Sequence, residues 1–239
     1  MNVSPHRRIQ PLVAWRAFRK LIRDPEDTHQ VFMIGEALRG NSLARVTARF
    51  ATTPLGQDVL AGRHELMPLL ADRDALARLP AGSVGRTYLD FVVSENLSAQ
   101  GLAEAARRRD EMSQATPEEH AFRRHLRDSH DLWHVVTGYG RDPLGEVCLL
   151  AFTYAQTRLN GLGAIALLGT LRIGRALRGQ PVRAASRSAY RTGRDAAWLP
   201  AVDWREFLGM DLNQARDRLG IAAPETYRGI ARALRPAYA

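Results

Sequence analysis

From Thr116 to Glu146 the chain spells out a long amphipathic helix whose apolar stripe turns into metal-type ligands at its far end. Thr116-Pro117-Glu118-Glu119 supplies a threonine cap, a proline at the first helical position and a glutamate three residues past the cap, which together make a capping box. Phe122, Leu126, His130 and His134 then follow at successive four-residue steps, so both imidazoles extend the apolar face and are expected to point inward. Gly138-Tyr139-Gly140 ends the helix. Asp142-Pro143 caps and opens the next one, with Glu146 in its first turn.

His130, Asp131, His134 and Glu146 are therefore the candidate catalytic and metal-ligating residues. Two histidines four apart on a helix share a face, Asp131 adjoins the first, and the turn can return Glu146 to them. Nitrogen and oxygen donors of this kind suit zinc, iron, manganese or magnesium. Burying four such groups without compensation costs several kcal/mol per isolated ion, and a divalent cation offsets that cost. A buried hydrogen-bond network is the competing account. The pattern departs from His-Glu-x-x-His, since the acid is an aspartate placed directly after the first histidine, and a protease reading fails on that point. His125 falls off the shared face by about 140° and is left outside the set. Asp128 and Asp142 are candidates to orient a histidine. His29 and His64 stand alone and take structural or surface roles.

The rest of the chain repeats the helical period. Residues 8–23 read as a basic amphipathic helix, with Leu12, Trp15, Phe18 and Ile22 on one face and Arg16, Arg19, Lys20 and Arg23 between them. Its apolar face is expected in the core, with an interfacial helix as the alternative. Asp24-Pro25 opens a helix through Val31, Phe32, Ile34 and Leu38; Ser42 opens another through Phe50; a short one spans 55–61. After the turn Leu79-Pro80-Ala81-Gly82-Ser83-Val84-Gly85, residues 86–94 are helical, and 102–112 form a charged helix or linker. The segment from Val147 to Leu159 is apolar on most sides and is expected to be central. A further apolar helix leads into Arg172, Arg175 and Arg178. Residues 183–194 are basic and polar, and 202–208 and 212–219 read as two short closing helices. No alternating strand pattern occurs. The expected fold is all-α: residues 1–239 as a single-domain helical bundle, a metal site between two adjacent helices, an apolar lipid groove, and residues 222–239 as a C-terminal tail.

Composition closes off several alternatives. Cys148 is the one cysteine, so no intramolecular disulfide can form, and its apolar neighbours make it a small buried residue. The formal charge is +9, yet every basic residue except Lys20 is arginine, and no zinc finger, RNP signature or Gly-x-x-Gly clamp accompanies it. No nucleic-acid partner is expected. Contact with an anionic lipid surface accounts for the charge equally well. The polar, basic opening carries no secretory signal, and Gly161–Leu171 is too short to span a bilayer. The expectation from these residues is a soluble protein, or one that sits on a membrane without crossing it.

His-Asp-x-x-His, eleven residues and a glutamate also resemble the signature of the ubiquinone (coenzyme Q) biosynthesis protein 4 family. The likeness includes Leu132–Gly140, Leu144-Gly145-Glu146-Val147, and the upstream Leu79–Gly85 with Tyr88 and Phe91; Ala189-Tyr190-x-x-Gly193-Arg194 and Trp204-x-Glu206 are similar as well. It covers residues 25–221. The resemblance implies an all-helical bacterial homologue that holds a divalent metal, zinc first, through His130, Asp131, His134 and Glu146. It implies work on a polyprenylated quinone precursor beside other ubiquinone-biosynthesis enzymes, self-association being left open. The reaction it implies is loss of the carboxylate at ring carbon 1 of a prenylated 4-hydroxybenzoate, with a hydroxyl installed there in the oxidative version. On that resemblance the protein is expected to be a lyase of the 4-hydroxy-3-methoxy-5-polyprenylbenzoate decarboxylase type, cytoplasmic and peripheral at the inner face of a bacterial membrane. Helices between Val147 and Leu171 are the candidates for the prenyl groove. A non-catalytic scaffold that binds prenyl lipid and organises a quinone-biosynthesis complex is the alternative.

Overall fold

The computed structural model describes residues 9–23, 28–38, 40–94 and 115–234. The expected start at Asp24-Pro25 and the charged segment 102–112 lie outside them. Among the described residues there are thirteen α-helices and no strand, only an isolated bridge between Ser83 and Asp211. In chain order the first seven are α1 (Pro11–Arg23), α2 (Thr28–Leu38), α3 (Ser42–Ala51), α4 (Pro54–Leu60), α5 (Met67–Ala71), α6 (Arg73–Ala77) and α7 (Val84–Ser94). Then come α8 (Pro117–Thr137), α9 (Pro143–Thr157), α10 (Asn160–Ala176), α11 (Val182–Asp195), α12 (Leu212–Leu219) and α13 (Glu225–Leu234). The all-α expectation holds. In place of a helix over 202–208 there are short 3₁₀ turns at Leu199–Ala201 and Trp204–Glu206.

The chain gathers into two compact units. One comprises Met1–Val46, Gly138–Ala196 and Ala222–Ala239; the other comprises Thr47–Thr137 and Ala197–Ile221.

In the first unit α9 is central, as its apolar sequence demands. Leu144, Val147, Cys148, Leu149, Ala151 and Phe152 are all buried, and α10, α11 and α13 pack on it. Burial pushes the Cys148 thiol up to about 12, which leaves it a packing residue. The approach of α11 to α9 needs small side chains. Val182, Ala185, Ala189 and Gly193 form its buried stripe, and a Cβ on Gly193 would stand 2.6 Å from the Phe152 carbonyl oxygen. Likewise α10 meets α2 where Gly161 faces Gly35. Helix α1 packs on α2 with a different face from the one its periodicity suggests. Ala14 and Ala17 are buried, while Leu12 and Trp15 are 72% and 56% exposed. The alanines allow close packing that the larger side chains would block. Residues 222–239 were expected as a tail, but α13 lies within them and buries Tyr227 and Ile230. Two apolar residues three apart make too short a stripe to read alone; the helix stands because it packs on α11 and α9.

The second unit is built on α8. Its capping box forms as expected, with Glu119 N–H donating to Thr116 Oγ1 at 3.2 Å and Thr116 N–H to Glu119 Oε2 at 3.0 Å. The turn 79–85 is tied down by Val84 N–H to Met210 O at 2.9 Å and Gly85 N–H to Leu208 O at 2.8 Å. Between α8 and α3 lies a ring cluster in which Phe50 meets Phe122 at 5.0 Å and stacks on His125 at 5.1 Å. His125 donates through Nε2 to Pro200 O at 2.9 Å, so its buried ring is neutral with a defined tautomer. Beside it, His64 Nε2 lies 3.3 Å from Asp203 Oδ1, and the Arg205 guanidinium holds that carboxyl down at about 2.

This core sets an acid limit. Burial lowers His125 from 6.5 to about 4, so between those values the unfolded chain binds more protons than the folded one. The contribution is complete above the unfolded value and is lost as pH falls toward the folded one, up to ~3 kcal/mol. Urea denaturation as the pH is lowered through this window is expected to show that loss in the wild type and a flattened limb in His125→Gln. An equally steep limb in the variant contradicts the assignment.

Candidate metal centre

Two helices and the turn between them present the site. On α8, His134 is buried and His130 sits at its edge with a side chain 44% exposed, so only one imidazole points fully inward. The buried face of α8 runs instead through Phe122, His125, Ser129, Leu132 and Val136. That places His125, expected off the ligand face, inside the core and not at the site. The His130 and His134 rings approach edge to face at 4.7 Å. Phe91 of α7 stacks on His134 at 5.5 Å and 25°, which fixes the plane of the deeper imidazole. Asp131 Oδ1 lies 3.2 Å from His130 Nδ1. Tyr88, also on α7, is close enough for the Asp131 charge to add to burial in pushing its phenol up to about 12. Burial likewise raises Asp128, whose carboxylate lies 3.5 Å from Arg127.

The C-terminal end of α8 is pinned from outside. Arg216 of α12 donates through Nε to Val136 O at 2.8 Å and through Nη2 to Val135 O at 3.1 Å, covering carbonyls that the helix leaves without an internal donor. Gly138, at a φ of +74°, then turns the chain in the left-handed conformation that favours glycine. Asp142 caps α9 as expected, accepting at Oδ1 from Leu144 and Gly145 N–H at 3.1 Å each. Gly145 closes on Gly140 so tightly that a Cβ would collide with the Gly140 carbonyl. Glu146, one residue further on, is partly exposed and lies 3.7 Å from Arg141 Nε.

Among the described residues, one ligand atom each from His130, His134 and Glu146 lies within 4.8 Å of the others. Two imidazole nitrogens and a carboxylate oxygen make a donor set that fits a divalent cation of the zinc, iron or manganese type. Of the four residues singled out in the sequence, three meet, and Asp131 is placed on His130. Sequence reasoning missed Arg141, the Arg216 clamp and the role of Phe91; the first two belong to no motif, and Phe91 reads only as part of the helical pattern of residues 86–94 and of the family likeness.

The cavity of about 500 Å³ at the junction of α10 and α11 is lined by Leu171, Pro181 and Val182 together with Arg175, Arg183 and Arg187. No described helix is long and apolar enough to cross a membrane.

Residues 2–225 match the family described as Coenzyme Q (ubiquinone) biosynthesis protein Coq4. Ubiquinone biosynthesis protein coq4, mitochondrial, of Aspergillus terreus is 30% identical over 192 residues, 80% of this chain and 64% of the relative. The mitochondrial COQ4 of Scheffersomyces stipitis is 24% identical over 208 residues, 86% of this chain and 63% of the relative. The chain thus spans less than two thirds of the length of these curated relatives. A crystal structure of a Nostoc punctiforme protein, provisionally described as a ubiquinone biosynthesis protein, has the same fold. Its TM-score is 0.63 at 19% identity, over 90% of this chain and 100% of that one.

Proposed function

Because the chain belongs to the Coenzyme Q (ubiquinone) biosynthesis protein Coq4 family, we propose that it acts in ubiquinone biosynthesis, removing the ring-carbon-1 carboxylate of a polyprenylated 4-hydroxybenzoate with a divalent cation held by His130, His134 and Glu146. The observation that carries this reading is the convergence of two imidazoles and a carboxylate within 4.8 Å on residues inside the family match. Zinc is the first choice of metal, with iron, manganese and magnesium as alternatives. Bound there, a divalent cation supplies Lewis acidity toward an anionic oxygen of the substrate.

The chain's own residues do the positioning. His134 is held flat by Phe91. Asp131 completes the set by accepting from His130 Nδ1, which fixes the ring and leaves Nε2 for the cation. Arg141, partly exposed beside Glu146, offers a positive charge to an arriving carboxylate. When carbon dioxide leaves, the bonding pair stays on the ring carbon, which takes up a proton from water. In the oxidative version dioxygen would take two electrons and two protons and leave as hydrogen peroxide, while water supplies the hydroxyl. The prenyl tail is assigned to the apolar helices between Val147 and Leu171, where Leu167 is exposed.

The substrate's tail requires work at a membrane face, and α1 fits that task. Its exposed Leu12 and Trp15 stand beside Arg16, Arg19 and Lys20, an arrangement suited to the headgroup boundary of anionic lipid. Other enzymes of the pathway are the expected partners there.

His134→Ala tests the enzyme reading. It is expected to keep the helical circular-dichroism signal of the wild type while conversion of the carboxylated precursor falls by about a hundredfold or more, as loss of a metal ligand or its support does. Undiminished conversion overturns the reading, and a wild type that converts nothing with any divalent metal leaves the scaffold role. The membrane reading is tested by flotation with vesicles containing anionic phospholipid. Leu12→Ala with Trp15→Ala should weaken binding by about tenfold or more, given ~1.5–3 kcal/mol per large apolar side chain. Unchanged flotation assigns the contact elsewhere.

A further inference from the structure

Helix α13 touches the turn that delivers Glu146 through the side chain of Tyr227. The Tyr227 hydroxyl accepts from Gly140 N–H at 2.9 Å and donates to Asp142 Oδ2. The other oxygen of the same carboxylate, Oδ1, accepts from Leu144 and Gly145 N–H and so caps α9. The phenol therefore ties the entrance of the turn to its exit. It holds Gly140 against Gly145 and aims the first turn of α9, which carries Glu146. The site is cut to shape around this hydroxyl, since a Cβ on Gly140 would lie 2.6 Å from Tyr227 Oη and 3.0 Å from Asp142 Oδ2. The Tyr227 ring is buried, meeting Tyr139 edge to face at 5.5 Å. Burial and the bond to Asp142 raise its phenol above the ordinary value, so it remains a donor throughout the working pH range. Tyr227 lies two residues beyond the stretch matched by the family.

We propose that Tyr227 is a positioning residue for Glu146, setting through Gly140 and Asp142 the place from which this carboxylate reaches the cation. The inference rests on the metal reading above. A hydroxyl that only added stability would lower the melting temperature and leave the cation's surroundings as they were. A positioning hydroxyl changes those surroundings in protein that is still folded. Outer partners of this type contribute roughly 10–100-fold to metal affinity.

The test is a titration of metal-free full-length chain with Co²⁺, read by visible absorption, in the wild type and four variants. Tyr227→Phe keeps the ring and loses only the hydroxyl; it is expected to bind Co²⁺ about tenfold more weakly, with an altered absorption envelope and an unchanged far-ultraviolet spectrum. Ile230→Ala removes a buried side chain from the same helix, and should lower the melting temperature while keeping wild-type affinity and absorption. Asp142→Ser keeps a cap oxygen for the Leu144 and Gly145 N–H groups but is too short to accept from Tyr227, so it should weaken Co²⁺ binding like Tyr227→Phe and decides the matter if that variant does not fold. Wild-type affinity and absorption in Tyr227→Phe, or in Asp142→Ser, overturn the proposal. So does a loss of affinity in Ile230→Ala equal to that in Tyr227→Phe, which marks a purely structural helix. His134→Ala separates this failure from that of the metal reading: if it binds Co²⁺ like the wild type, the metal site itself is wrong, and the role of Tyr227 falls with it.

Discussion

Two imidazoles and a carboxylate lie within 4.8 Å of one another, and the buried His134 ring among them gives up solvation that must be repaid from somewhere. A carboxylate can accept one hydrogen bond from a neutral imidazole, but a second nitrogen beside it offers another lone pair or another proton that must also be housed. A divalent cation accepts lone pairs from all three groups at once. That is why the ligand chemistry, and not the helical bundle as such, is the feature on which the functional reading turns.

Local devices then hold each donor in place. Helix α8 is started by a reciprocal capping box and stopped by the Arg216 guanidinium on its last carbonyls. Phe91 fixes the plane of His134, and Asp131 fixes His130. The turn that follows depends on Gly138 for its left-handed backbone and on Gly140 and Gly145 for their lack of a Cβ. Each device is a small term of the order of 1 kcal/mol, yet together they decide whether three side chains can serve one ion.

Much of this was legible in the sequence because it is local. The capping box at Thr116, the cap at Asp142, the four-residue spacing of His130 and His134 and the burial of Cys148 all follow from neighbours along the chain. Periodicity failed where size mattered more than hydropathy: on α1, alanines were buried and Leu12 and Trp15 left outside; on α8, the buried stripe passed through His125 and Ser129 instead of Leu126 and His130. Contacts between distant segments were not legible. Arg216 on the end of α8 and Tyr227 on the turn before α9 lie eighty or more residues from what they hold, with no motif to announce them. The short helices α5 and α6 and the closing helix α13 went unread for the related reason that five to ten residues carry too little pattern without their packing partners.

The most direct test of the central claim is an anomalous difference map from crystals of the protein purified without chelator, with data collected on either side of the absorption edge of the metal found by elemental analysis. The account predicts one peak per chain, at roughly 2.0–2.2 Å from an imidazole nitrogen of His130, an imidazole nitrogen of His134 and a carboxylate oxygen of Glu146. No peak there, with the three side chains joined by direct hydrogen bonds, contradicts it.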